Sequence, residues 1–265
     1  MTITLPNSEK EPFSISGFLM SDGPARFILS WVAGFVDTAS FIVLFALFTA
    51  HVTGNIALAG ASAASDEKDT ITHLMMIPIF MVAVAVTSVV ARFCRYKNWP
   101  VLPVLLTAET IGIGVFLLVA ATLSPTLMLD VQEDIIFPIG AAGVVAMGIQ
   151  NALMKEAITS FTGYFPTTVM TGNTTQLTLD LVLLVIAPVF PIANKVPSVE
   201  TQEALARIGR VAPIIAGFFL GAGAAAYTVN AMEFNCLIFP LIAMAILTLA
   251  SYADYARKSA SVEKA

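Results

Sequence analysis

The sequence predicts an all-α polytopic membrane protein. Its six transmembrane helices form a 3+3 inverted repeat, and each half carries a short or re-entrant helix that begins at a Thr-Gly-Asn tripeptide. Three observations predict this. Of 265 residues, 57% are hydrophobic and 12% charged, with mean hydropathy +0.86. Soluble domains carry about a quarter charged residues, and a chain this apolar would expose large apolar patches to water. The tripeptide occurs twice, at Thr53-Gly54-Asn55 and Thr171-Gly172-Asn173, each time between apolar segments. The basic residues fall in alternate loops, as short cytoplasmic loops require.

Residues 1–25 are polar and broken by Pro6, Pro12 and Pro24. They lack the basic start and short apolar core of a cleaved signal peptide, so they read as a cytoplasmic tail. A single membrane domain follows over 26–254, with repeat one at 26–123 and repeat two at 135–254. Residues 255–265 read as a second cytoplasmic tail.

The first span runs from about Arg26 to Ala50, long enough to cross at 1.5 Å per residue. His51 to Asn55 interrupts it, and Ile56 to Ala64 is apolar but too short to cross. Ile71–Phe93 and Val101–Ala121 are the second and third spans. The loop from Thr122 to Asp134 has acidic residues and no Lys or Arg. Ile135 to about Ile158 is the fourth span. The helix after the second tripeptide, Thr174 to about Ala187, is half polar, and Pro188, Pro191 and Pro197 stop it. Ile208–Val229 and Cys236–Tyr252 complete the set.

With six spans and the amino terminus inside, Arg92, Arg95, Lys97, Lys195, Arg207, Arg210, Arg257 and Lys258 all fall inside. An eight-span, 4+4 alternative puts outside either the 92–97 cluster or both the 195–210 group and the carboxyl tail.

Gly34-Phe35-Val36-Asp37-Thr38 aligns with Gly148-Ile149-Gln150-Asn151-Ala152, and both lead into a tripeptide. The separation is 16 positions from Asp37 to Thr53 and 20 from Asn151 to Thr171. The difference is one helical turn, inserted near Ser160 to Tyr164. Three spans per half make the two copies enter from opposite faces, an arrangement that places a site at the midplane.

These residues predict a substrate site. Gly54 and Gly172 permit close backbone approach. Asn55 and Asn173, or Thr53 and Thr171, are good N-caps for the helices that follow. A helix starting inside a membrane offers free N–H groups and a partial positive end to an anionic or hydrogen-bonding solute. Asp37 is a carboxyl at mid-bilayer, where charge is costly and usually functional. Its mate Asn151 cannot titrate, which points to proton coupling at Asp37; the alternative is a neutral Asp37 bonded to Asn151. Gln150 lies beside Asn151, and Asp180, two turns beyond Asn173, shares its helix face. Glu109 and His51 are secondary candidates. The ordinary reading of Glu109 is a snorkelled acid or a partner for Arg92. Gly217 and Gly221 form a G-x-x-x-G pair suited to helix packing.

Other functions find little support. Two cysteines, Cys94 and Cys236, and two histidines, His51 and His73, suggest neither a disulfide framework nor a structural zinc. No cofactor, metal or catalytic signature occurs, and there is no basic nucleic-acid footprint. The expected partners are the lipid bilayer and a small polar solute, with a homo-oligomer left open. The alternative to a transporter is a non-transporting scaffold or sensor.

The pairing of G-F-V-D with H-x-T-G-N, and of G-x-Q-N-A with T-T-x-x-T-G-N, resembles the YoaK-type family of bacterial membrane proteins. The likeness extends from about Phe27 to Tyr252. It implies six spans in a bacterial inner membrane and no established substrate. The second span lacks the glycine run of the fifth (Gly217, Gly221, Gly223), so the two halves are expected to pack differently.

Overall fold

A computed structural model describes residues 13–65, 70–123, 133–157, 160, 166–190 and 197–263. Every regular element among them is helical: α1 (Ile15–Leu19), α2 (Asp22–Val43), α3 (Val52–Ser65), α4 (Thr70–Tyr96), α5 (Val101–Leu123), α6 (Glu133–Glu156), α7 (Met170–Ile186), α8 (Pro197–Met232) and α9 (Ile238–Glu263). A 3-10 turn, Glu233–Leu237, joins α8 to α9. Five stretches are long and apolar enough to cross a membrane, and the last, Ser198–Ser261, runs through that turn. Lys195, most of the inserted turn near 160–164 and most of the acidic loop after Thr122 lie outside the described residues.

Several expected boundaries move. The polar start is not all tail, because Ser14 caps α1 through a hydrogen bond from Gly17 N and α2 begins at Asp22. Pro24 lies in the first turn of α2, where its missing N–H is an orphan in any case. Pro197 likewise opens α8 rather than stopping a helix. The first helix ends at Val43, not Ala50; Phe45 and Ala46 then adopt left-handed φ of 49° and 65°. The reason is local: the chain between 44 and 51 turns back to bond α2 side chains instead of continuing the helical ladder.

α2 lies at the centre, with Ala25, Leu29, Val32, Phe35, Val36 and Ala39 fully buried. It packs chiefly on α8, whose Gly217 and Gly221 face the carbonyls of Phe27 and Trp31. A Cβ at either glycine would strike that backbone, so the G-x-x-x-G pair is an internal contact. Gly34 faces the Phe218 carbonyl in return. α6 packs on α4 in the matching way. A Cβ at Gly148 would meet the Ala83 side chain first, at 2.8 Å, and Phe80 O only at 3.4 Å. The halves therefore differ in closeness, as the missing glycine run predicts.

Contacts that advance together along both chains show that α2 runs parallel to α8, and α4 to α6. α5 and α9 run antiparallel. Thr107 meets Tyr252, Thr110 meets Thr248 at 2.8 Å, and Gly114 meets Leu241. The short helices are peripheral: α3 packs on α4, and α7 on α8. Gly17 of α1 lies beside Arg257, so the start of the chain's described part meets the end of α9.

Candidate functional site

The site is built on the two breaks that precede α3 and α7. In the first, Asp37 projects from the last turns of α2 into the chain that has just left it. Its Oδ1 accepts from Thr49 N at 2.9 Å and Ala50 N at 2.7 Å. Its Oδ2 faces His51 Nδ1 at 2.5 Å. Thr49 Oγ1 adds longer bonds to Asp37 and to Ser40 Oγ, both 3.4 Å. Asp37 is therefore buried, with Oδ1 accepting from two backbone N–H groups, and irregular backbone at this depth is satisfied by protein, as a membrane interior demands.

The second break repeats the plan with neutral groups. Asn151 Oδ1 accepts from Thr168 Oγ1 at 2.7 Å, and its Nδ2 donates to Met147 O at 2.8 Å. Asp37 and Asn151 do not bond each other; each fastens the break of its own half.

The asparagines of the tripeptides act alike and not as N-caps. α3 starts at Val52 and α7 at Met170, one residue before each Thr, so the tripeptides lie inside the first turn. The N-cap of α7 is Val169, which has no side-chain cap. Asn55 reaches back seven residues, accepting from Phe48 N at 3.0 Å and donating to Phe48 O at 2.7 Å. Asn173 donates to Pro166 O, also seven back, at 2.7 Å. A non-helical segment of a few residues is thus pinned across the start of each helix.

Gly54 has a steric role. A Cβ there would meet the Phe48 ring at 2.5 Å. Gly172 is exposed, and a Cβ there would meet only Val169 Cγ1 at 3.7 Å. Thr53 is exposed, as is Thr171. Thr171 opens a groove of about 570 Å³ along α7, lined by Met170, Thr174, Thr175, Thr178 and Leu179.

His51 joins the halves. Its ring stands edge-on to Phe218 of α8 at 5.8 Å and to Phe48 at 5.6 Å. The side chain stays 30% exposed, while that of Asp37 behind it is 4% exposed. Gln150 makes a second link across the halves. Its Nε2 donates to Leu29 O of α2 at 2.6 Å and to Thr167 Oγ1 at 3.2 Å. Ser30 of α2 donates to both Thr167 O and Ile214 O.

Two predicted residues lie elsewhere. Asp180 shares the buried face of α7 with Asn173, as its spacing predicts. That face, however, is fastened to α8: Arg207 Nε donates to Asp180 at 2.8 Å, and Gln176 Nε2 at 3.0 Å. Glu109 on α5 is fully buried and neither oxygen has a hydrogen-bond partner. It neither snorkels nor meets Arg92; the ion pair at that end of the bundle is Arg95 with Glu156 at 2.7 Å.

Sequence reasoning did not select Ser30, Thr49, Thr167, Thr168 or Arg207. Thr167 and Thr168 carried a signal, as the paired threonines upstream of the second tripeptide. Both cysteines are free and buried, and no group of three or more metal-ligating side chains occurs among the described residues.

Apolar helices of spanning length, with a polar centre made of broken backbone, define a multi-pass membrane protein. The chain belongs to the DUF1275 family of proteins of unknown function, whose model matches residues 26–250. No curated protein and no solved structure matches it.

Proposed function

We propose that the protein is a transporter of a small polar or anionic solute, with proton coupling at the Asp37–His51 pair. The observation that carries this reading is the Asp37–His51 contact at the first of two helix starts, with the His51 ring edge-on to Phe218 of α8 in the other half. Each start brings first-turn N–H groups and a partial positive end. One half adds a titratable pair, Asp37 with His51, where the other has Asn151 with Val169. The Thr-lined groove along α7 supplies a polar approach to the second tripeptide. Gln150 lies beside Asn151 as a member of the site, and buried Glu109 on α5 remains a secondary one.

The wider architecture in this proposal is six spans in two inverted halves. Support comes from the helix directions: α2 parallel to α8, α4 parallel to α6, and α5 antiparallel to α9. Thr110 and Thr248 occupy matching places in the two halves and bond each other, as residues beside a pseudo-two-fold axis in the membrane plane would. The YoaK-type likeness agrees with six spans in a bacterial inner membrane. The basic residues favour both termini in the cytoplasm, and the contact of Gly17 with Arg257 favours a common side for them.

The test is flux in proteoliposomes with a panel of small anions and an imposed pH gradient. Asp37→Asn should retain fold and lose the gradient dependence. Full gradient dependence in that variant would sink the coupling reading. The alternative is a non-transporting scaffold or sensor. It is favoured by one observation: Asp37, Asn55, Asn151 and Asn173 all find protein partners without a ligand. Thr53→Cys and Thr171→Cys separate the two. A transporter should label at both positions from water, and a scaffold at neither.

A further inference from the structure

The two halves differ in side-chain bulk as well as in the polar groups at their breaks. Under the alignment that pairs Gly34 with Gly148, the α2 residues Phe27, Ile28, Trp31 and Phe35 correspond to Ala141, Ala142, Val145 and Ile149 of α6. Four bulky side chains face four smaller ones. In α2 the bulk is used: the Trp31 and Phe35 rings lie 5.2 Å apart, and Phe35 reaches Phe239 of α9 at 6.3 Å. In α6 the missing volume is open space. A groove of about 440 Å³ runs along α4 from Met75 to Val90, floored by Val145 and Ile149. A second, of about 390 Å³, lies between α5 and α6 and shares Ala108, Val145 and Ile149 with the first.

The lining is almost wholly apolar, and the α4 side chains Met75, Val82 and Val86 at its rim are exposed. Met75 to Val90 spans ~22 Å at 1.5 Å per residue, against ~15 Å for one leaflet of a ~30 Å hydrocarbon core. Each groove is thus on the scale of one acyl chain, and two grooves side by side match a lipid with two chains. The helical repeat carries the groove face of α4 on from Val90 to Phe93 and then to Lys97. The Lys97 ammonium lies over the Phe93 and Tyr96 rings at 6.0 and 5.4 Å, and Trp99 stands edge-on to Phe93 at 5.8 Å. Aromatic residues with a basic residue at the end of an apolar face mark the headgroup level, and such a cation attracts anionic lipid.

We propose that this half of the protein holds an anionic phospholipid, with its acyl chains in the paired α4–α5–α6 grooves and its phosphate at Lys97. Charge complementarity at the mouth selects a lipid over a second copy of the chain.

The experiment measures lipid retained by the purified full chain, by native mass spectrometry, from equal phosphatidylglycerol and phosphatidylcholine. The wild type should retain phosphatidylglycerol preferentially. Lys97→Gln, an exposed change, should lower that preference about fivefold. Val145→Trp with Ile149→Phe, which copies the other half's residues, should expel the lipid. Equal retention of the two lipids by the wild type overturns the proposal, as does an unaltered preference in Lys97→Gln. Efficient disulfide cross-linking of Val82→Cys between two copies in vesicles would assign the face to a dimer and also overturn it.

Discussion

Replacing the two tripeptide asparagines separates their roles. Asn55 makes two bonds to Phe48, one given and one received. Asn173 gives one to Pro166, which has no N–H to return. Truncation to alanine leaves unpaired backbone groups near the protein's centre, at about 1–3 kcal/mol each. The Phe48 contacts are part-buried, so the lower part of that range applies. Asn55→Ala should cost about 2–4 kcal/mol and Asn173→Ala about 1–2 kcal/mol. At about 2–4 °C per kcal/mol for a chain of this size, the difference is about 2–8 °C in Tm. Aspartate should widen the contrast in the opposite direction. Both changes lose a donor and set a carboxylate against a carbonyl, of Phe48 or of Pro166, but Asn55→Asp still accepts from Phe48 N, whereas Asn173→Asp keeps no bond there. Both sites lie in a first helical turn, where the dipole favours an acid, so that contribution cancels between them. The assay is the fraction of monodisperse protein left after heating in detergent. Equal losses at the two positions, or the same order for alanine and aspartate, would refute the reasoning.

Three more outcomes are expected in the same assay. Gly54→Ala should destabilise by about 1–3 kcal/mol because the Phe48 ring must move, while Gly172→Ala should be neutral or slightly stabilising through helix propensity. Arg207→Ala should leave the buried Asp180 carboxylate with only Gln176 and lower Tm. The cost is about 1–3 kcal/mol, below that of a fully buried pair because Arg207 is 30% exposed; adding Asp180→Asn should restore part of it. Glu109→Leu removes a buried carboxyl with no partner and should raise stability by about 1–3 kcal/mol, read as a higher Tm. If flux falls in the same variant, Glu109 belongs to the working site; if Tm falls, the carboxyl has a partner in solution.

How far the sequence reached differs from residue to residue. Hydropathy and length were enough for the long helices, because a membrane-crossing helix needs only a run of apolar residues. The tripeptide repeat located both breaks, since a glycine flanked by polar side chains interrupts an apolar run wherever it falls. The alignment of Asp37 with Asn151 also held: both fasten a break at the same place. What Asp37 touches was out of reach. Its partners are backbone N–H groups of Thr49 and Ala50, which carry no residue-specific signal. The N-cap reading of the asparagines failed for a related reason. Capping propensity describes one helix end, and here the side chains reach seven residues back, to Phe48, which the sequence alone reads as helix, and to Pro166. Asp180 shows the same limit from the other side. Its spacing placed it on the face of Asn173, but the arginine that closes it comes from α8, 27 residues on.

By itself, then, the sequence determined a membrane-spanning, all-helical chain of two related halves, each broken at a Thr-Gly-Asn and unequal in charge at the break. Those properties depend on composition and on near neighbours along the chain. Only the tertiary structure decided that His51 lies between Asp37 and Phe218 of the other half, that Gly217 and Gly221 hold α2, and that Val145 and Ile149 leave a groove where Trp31 and Phe35 fill one. Each of these depends on which backbone lies across from a side chain within a few ångströms, and packing between distant segments sets that distance.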